Sequence, residues 1–247
     1  MDTDVKRIQD KLLEMGVAVA QILEENNIPY MLSYGTLLGA MRHKGFIPWD
    51  DDFDFILFDD SYDQAIELLR KNLPENMFLE DEKSEPLYFH AWAHVKDKNS
   101  KVECKEFPQD SLYTCKGVCL DLYKAKKLPY NELDAYVNAE NRAYITRRKE
   151  KGLISENDYQ ERMHKLTLNE KQKRYIDNEK NEEVLCVVTD VMHMEDVFPL
   201  KKYVYEKKFF YGPANADKIL RELYGDYMQL PPEEERIIHY DTVEFYK

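Results

Sequence analysis

Apolar residues recur at helical spacing from Val5 to Glu25: Ile8, Leu12, Leu13, Met15, Val17, Val19 and Leu23 alternate with polar positions, which predicts an amphipathic helix. Asn26-Asn27 breaks that pattern, and the run IPYMLSYG reads as a strand ending in glycine. Thr36 occupies an N-cap position, so TLLGAMRHKG is expected to form a short helix stopped by Gly45. Pro48 and Trp49 lead out of the turn toward a strand, DFDFILF, with a carboxylate cluster from Asp50 to Asp54 at its mouth. SYDQAIELLRKN, from Ser61 to Asn72, reads as a second amphipathic helix capped by Ser61.

The stretch from Met77 to about Leu122 carries β signals in MFLE, YFHAWAHV and VCLDLY, separated by polar turns. Strand alternation would set His90, Trp92 and His94 on one side. After Pro129 the pattern changes to two long, heavily charged helices, Asn131 to about Gly152 and Glu156 to about Glu179. EVLCVVTDV returns to a buried strand, KKFFYG is a short strand or turn, ANADKILRELYGDY is a helix ended by Gly225, and PPEEER is extended and solvated. Together these elements predict an α/β (α+β) fold: a mixed sheet with flanking helices in a single domain, 1–247, with a helical insertion over 131–180.

Composition narrows the function classes. Hydrophobic residues make up 43% of the 247 positions and charged residues 34%, a globular balance rather than a disordered one. No run of about 18 apolar residues occurs, and the charged N-terminus does not suit a signal peptide. The expected location is cytoplasmic, or peripheral at the inner membrane face. A net charge of −13 argues against a nucleic-acid partner, because phosphate neutralisation needs an excess of Lys and Arg. Cys104, Cys115, Cys119 and Cys186 form no CxxC pair. Buried, reduced thiols are the favoured reading, with a zinc site from Cys115, Cys119 and a histidine as the lesser alternative.

Chemistry concentrates in YMLSYGTLLGAMRHKGFIPWDDDFDFILF, Tyr30 to Phe58. Gly35 allows close backbone approach to a ligand, and a helix starting at Thr36 offers free N–H groups and a favourable dipole to phosphate. If the following strand begins at Asp52, then Asp52 and Asp54 project together while Phe53 and Phe55 enter the core. Two carboxylates on one face repel unless a cation lies between them. A hard cation, Mg²⁺ or Mn²⁺, resolves the repulsion and can clamp a substrate phosphate. Asp121, flanked by Leu120 and Leu122, is a charge inside an apolar strand and the best third carboxylate, either as a metal ligand or as a proton acceptor. A solvated acidic turn is the bland alternative. The upstream glycine–helix element and the apolar alternation weigh against it.

GTLLGAMRHKGFIPWDDDFD resembles the LicD family of phosphocholine transferases and the related fukutin-type sugar-phosphate transferases, within the nucleotidyltransferase superfamily. VCLDLY and ILRELYGDYMQLPP resemble further segments of the same family, so the resemblance touches the chain from about Tyr30 to Pro232. It implies a nucleotidyltransferase-like fold, Asp52 and Asp54 as metal ligands, Asp121 as the third carboxylate, and Gly35 and Thr36 against donor phosphates. It further implies a CDP-activated alcohol as donor, CDP-choline first, and a hydroxyl of a glycan or lipid-linked sugar as acceptor. Donors carrying ribitol, glycerol or ethanolamine phosphate, and nucleotidyl transfer itself, stay open as alternatives.

Arg42 and Lys44, near the presumed phosphates, are read as neutralising charge on the diphosphate, and Lys96 as a weaker phosphate contact. Asp50 and Asp51 rank as supporting residues. Trp49, Tyr88 and Trp92 are candidates for an aromatic box around a quaternary ammonium, although core packing suits each ring taken singly.

Overall fold

The computed structural model describes residues 3–105, 111–168, 182–188 and 190–246. Helix α1 (Thr3–Glu25) follows the predicted periodicity and buries Ile8, Leu12, Met15, Val19 and Leu23 along one side. Strand β1 (Tyr30–Leu32), helix α2 (Tyr34–Arg42), strand β2 (Asp54–Phe58) and helix α3 (Asp59–Asn72) come next. Strands β3 (Met77–Glu80), β4 (Ala93–Asp97), β5 (Ser100–Glu103) and β6 (Cys119–Pro129) then precede helices α4 (Leu133–Glu150) and α5 (Glu156–Leu168). The chain continues as β7 (Glu183–Val187), β8 (Asp190–His193), α6 (Met194–Val197), β9 (Lys201–Tyr205), β10 (Lys208–Gly212), α7 (Ala216–Tyr224) and β11 (Thr242–Phe245).

The fold is the expected mixed α/β arrangement. Seven strands form one sheet in the order β1-β2-β6-β4-β3, with β7 added to β6 and β8 to β7. β2 and β6 run parallel, whereas the other pairs in the sheet are antiparallel. β6 is long because its halves have different partners. Cys119–Leu122 pairs with β4, and Ala125–Pro129 pairs with β7.

Alternation along the strands gives the sheet two apolar faces. Phe55, Leu57, Val95, Leu120 and Leu122 join the core built on α1 and α3. Met31, Ile56, Phe58 and Ala125 face the other way, toward Val197 and Ile219 of α6 and α7. The polar residues that interrupt this second face define the site.

Several element boundaries differ from the sequence expectation. α2 begins at Tyr34 with Ser33 as its N-cap residue. Thr36 is therefore inside the first turn, and its Oγ1 accepts the Asp54 N–H at 2.9 Å. β2 begins at Asp54, not Asp52, so Asp52 lies on the preceding loop and strand alternation does not fix its direction. α3 starts at Asp59 instead of after Ser61. His90 and Trp92 precede β4, and only His94 of that trio lies on the strand. The second charged helix is described to Leu168; the rest of that prediction, to Glu179, falls outside the described residues. α7 ends at Gly225 as the pattern predicts. Gly39 is required by close packing, because a Cβ there would lie 2.5 Å from the Gly45 carbonyl oxygen.

Candidate functional site

The acidic loop is held from both ends of the chain. On α1, the buried Gln9 donates from Nε2 to the carbonyls of Ile47 (3.1 Å) and Asp50 (2.9 Å). From the C-terminal segment, the backbone N–H groups of His239 and Tyr240 donate to the fully buried Asp51 carboxylate at 3.1 and 2.9 Å. Asp51 thus fastens the tail, while Asp52, with a side chain 40% exposed, stands at the opening and meets His239 Nδ1 at 3.0 Å. The Asp51 oxygen lies 2.9 Å from the same nitrogen.

Register places the remaining groups in a line across the sheet. Asp54 on β2 is the partner of Asp121 on β6, Asp121 that of His94 on β4, and His94 that of Glu80 on β3. Four ionisable side chains therefore lie side by side on one face. His94 bridges two carboxylates, with Nδ1 3.2 Å from Glu80 Oε2 and Nε2 2.9 Å from Asp121 Oδ1. Trp92 Nε1 donates to the same Asp121 oxygen at 3.1 Å.

These environments separate the two central carboxylates. Burial raises Asp54 well above the ordinary carboxylate range, and the charges of Asp121, Asp52 and Asp50 raise it further. Among the described residues no hydrogen bond or ion pair reaches its carboxylate, although it is only 6% exposed. Burial also pushes Asp121 up, but the charge and hydrogen bond of His94 outweigh that and leave it below its ordinary value. Burial, then Asp52 and Asp51, lifts Asp50 to about 7. Asp50 Oδ2 is buried without a hydrogen-bond partner and would lie 3.0 Å from a Cβ at Gly35, so a glycine there lets this carboxylate approach the first turn of α2.

A buried unpartnered carboxylate facing others is the environment that a bound cation relieves. Asp54, in register with Asp121, and Asp52 on the adjoining loop are the carboxylates that could supply oxygens to a hard divalent ion. Two groups bring three metal-ligating atoms within 4.8 Å of one another, Asp51–Asp52–His239 and His94–Cys119–Asp121. Asp52 and Asp121 each belong to one; Asp54 belongs to neither.

The other sequence-derived residues are distributed unevenly around this centre. Arg42 Nη1 donates to the Tyr227 carbonyl at 2.6 Å, so this guanidinium also anchors the C-terminal segment. Lys44 is exposed and reaches the Met41 carbonyl at 3.3 Å. Lys96 is 3% exposed and engages Glu80 at 2.9 Å and the Cys115 carbonyl at 3.2 Å, an internal ion pair in place of a free phosphate contact. The Arg236 guanidinium lies 4.7 Å over the Trp49 ring. Tyr88 is buried and donates to the Trp92 carbonyl at 2.6 Å. Of the three aromatic candidates, Trp92 is the one that contacts the carboxylates. Tyr123, two residues beyond Asp121, packs 4.9 Å from Trp92 and 5.2 Å from Tyr34, so three partly exposed rings adjoin the acidic line.

Sequence reasoning missed Gln9 and His239. His239 sits nearly two hundred residues from the acidic loop, in a tail with no periodic pattern. Its hydrogen bonds to Asp51 and Asp52 raise its pKa to about 11, above an unfolded value of about 6.5. A raised histidine contributes stability that is complete below about pH 6.5 and is lost as pH rises toward about 11. In chelator-treated protein, His239→Gln is expected to flatten that alkaline decline in melting temperature. A variant whose decline matches wild type would show that the ion pair does not persist in solution.

The sheet, with helices on both faces, is a mixed α/β domain that carries its ionisable line on one face. Residues 27–131 match the family model described as LicD/FKTN/FKRP, nucleotidyltransferase domain. It is 42% identical over 59 residues to the lipopolysaccharide cholinephosphotransferase LicD of Haemophilus influenzae, a match covering 24% of this chain and 22% of that protein. Uncharacterized proteins of Rickettsia prowazekii and Rickettsia typhi are 28% and 29% identical, over 47% and 55% of this chain and 45% and 46% of their own lengths. The matches thus span less than half the length of these curated relatives. No helix among the described residues is long and apolar enough to cross a membrane.

Proposed function

We propose that this chain transfers phosphocholine from CDP-choline to a hydroxyl of a cell-surface glycan or its lipid-linked precursor, with Mg²⁺ or Mn²⁺ held by Asp52, Asp54 and Asp121. The observation that carries this reading is the in-register pair Asp54–Asp121 on adjacent parallel strands, bordered by the first turn of α2 and by the rings of Tyr34, Tyr123 and Trp92. The match of residues 27–131 to the LicD/FKTN/FKRP family model supports transfer of a phosphorus-bearing group. The rings favour choline over a polyol, because a quaternary ammonium is attracted to aromatic faces.

When bound, the cation would neutralise charge on the donor phosphates. The chain's own groups do the rest. The first-turn N–H groups of α2 donate to phosphate oxygens, beside the Asp50 carboxylate that lies against Gly35. Trp92 and His94 occupy Oδ1 of Asp121, which keeps that carboxylate ionised and leaves its second oxygen to act. The acceptor oxygen attacks the phosphorus bearing choline, the bond to the CMP oxygen breaks, and the hydroxyl proton passes to a site carboxylate.

Phosphorus NMR of the full chain with CDP-choline and Mg²⁺, water standing in for the acceptor, tests the reading. Release of CMP and phosphocholine is expected, with CDP-ribitol, CDP-glycerol and CDP-ethanolamine cleaved more slowly. Faster cleavage of a polyol donor would move the substrate. Pyrophosphate release from CTP with a phospho-alcohol, without CDP-choline cleavage, would replace the reading by nucleotidyl transfer.

A further inference from the structure

We propose that His94, Cys119 and Asp121 form a zinc site that shares Asp121 with the hard-cation centre, so that zinc binding withdraws this carboxylate and inhibits the enzyme. Cys119 and Asp121 are two residues apart on β6 and project from the same face, and His94 is the register partner of Asp121 on β4. Their ligand atoms all lie within 4.8 Å of one another. An ion with Zn–N and Zn–O distances of about 2.0 Å and Zn–S of about 2.3 Å reaches all three after small side-chain movements.

The donor set is selective. Nitrogen, sulfur and oxygen donors suit zinc, whereas Mg²⁺ takes oxygen alone. Glu80 supplies the outer partner that a metal-bound histidine needs. Its Oε2 lies 3.2 Å from His94 Nδ1, which turns Nε2 toward Asp121 and Cys119. Glu80 is fully buried and held by Lys96 at 2.9 Å, so it cannot swing away. The Asp121 side chain is a quarter exposed, which gives an entry path and a fourth position for water. On binding, the Cys119 thiol proton and the His94 Nε2 proton both leave to solvent, and the thiolate and the freed Nε2 take the metal, while Nδ1–H stays with Glu80. Nothing in this arrangement depends on which donor the enzyme uses.

Cobalt(II) added to the metal-free full chain in place of zinc reports the site directly, without nucleotide. The expected spectrum has a thiolate-to-cobalt charge-transfer band and the strong visible absorption of four-coordinate cobalt, both displaced by one equivalent of zinc. Cys119→Ser should abolish the charge-transfer band, and His94→Gln, which removes a ligand itself, should weaken zinc binding by more than the roughly 10- to 100-fold typical of losing an outer partner such as Glu80. Cys104→Ser and Asp52→Asn/Asp54→Asn should retain it. A folded wild-type protein with no thiolate band, or a band that survives Cys119→Ser, would overturn the proposal. If Cys119→Ser fails to fold, alkylation of wild-type protein followed by peptide mass analysis decides: zinc should protect Cys119, and equal labelling with and without zinc would refute the site.

Discussion

Replacing Asp54 with asparagine is expected to lower donor cleavage at least about 10³-fold, roughly 4 kcal/mol of transition-state stabilisation, while raising the melting temperature of the metal-free protein. Both effects arise from one side chain. Asp54 is 6% exposed, lies between Asp121, Asp52 and Asp50, and receives no hydrogen bond among the described residues. Its folded pKa stands well above the unfolded value of about 3.9. Such a carboxyl stabilises the fold fully below that unfolded value, and the benefit is lost as pH rises through the folded pKa. At neutral pH the uncharged asparagine avoids that loss. Saturating Mg²⁺, at about 100 times its dissociation constant, should stabilise wild type by about 2.7 kcal/mol and leave the variant nearly unmoved. Calorimetry with chelator and then with Mg²⁺ separates these contributions. A variant that melts below wild type in chelator would show that the buried carboxylate has a partner in solution.

Gly117→Ala should cost more than about 4 kcal/mol, in the range reserved for severe packing conflicts. A Cβ at this position would lie 1.6 Å from the Asp97 carbonyl oxygen, a backbone atom that cannot rotate away. The surroundings are fixed as well. The Asp97 N–H donates to the Val118 carbonyl at 2.9 Å, and the Val118 N–H to Ser100 Oγ at 3.0 Å. Relief would require β4 and the start of β6 to separate, and those strands set His94 beside Asp121. Urea unfolding of the variant measures the loss directly. A cost below about 1 kcal/mol, the scale of an ordinary substitution, would mean that the two backbones do not approach this closely.

Much of this arrangement was readable from local pattern. The helix over Val5–Glu25, the strand–helix–strand order around the aspartates and the charge within VCLDLY each rest on short-range periodicity, and short-range periodicity survives folding. Boundaries were less accessible. Thr36 looks like a cap because threonine accepts hydrogen bonds, but its hydroxyl accepts from Asp54, which comes eighteen positions later. Asp52 appeared to share a strand with Asp54, yet the loop clamped by Gln9 and the C-terminal tail delays the strand by two residues. The line Asp54–Asp121–His94–Glu80 joins four strands, and no spacing within one segment encodes it. His239 is the extreme case. Its role depends on the tail crossing back to Asp51, with β11 pairing to β5 to hold it there. The sequence alternative of Cys115, Cys119 and a histidine differs from the group in the structure: Cys119 lies with Asp121, two residues along the same strand, and with the cross-strand His94, and Cys115 is not part of it.

Isothermal titration of CDP-choline into the full chain, with and without Mg²⁺, on wild type and on Asp52→Asn/Asp54→Asn, tests the central claim most directly. Binding that requires both the cation and the two aspartates is the predicted result. Equal affinity in wild type and the double variant, or no dependence on Mg²⁺, would contradict a metal-held donor at the β2–β6 carboxylates.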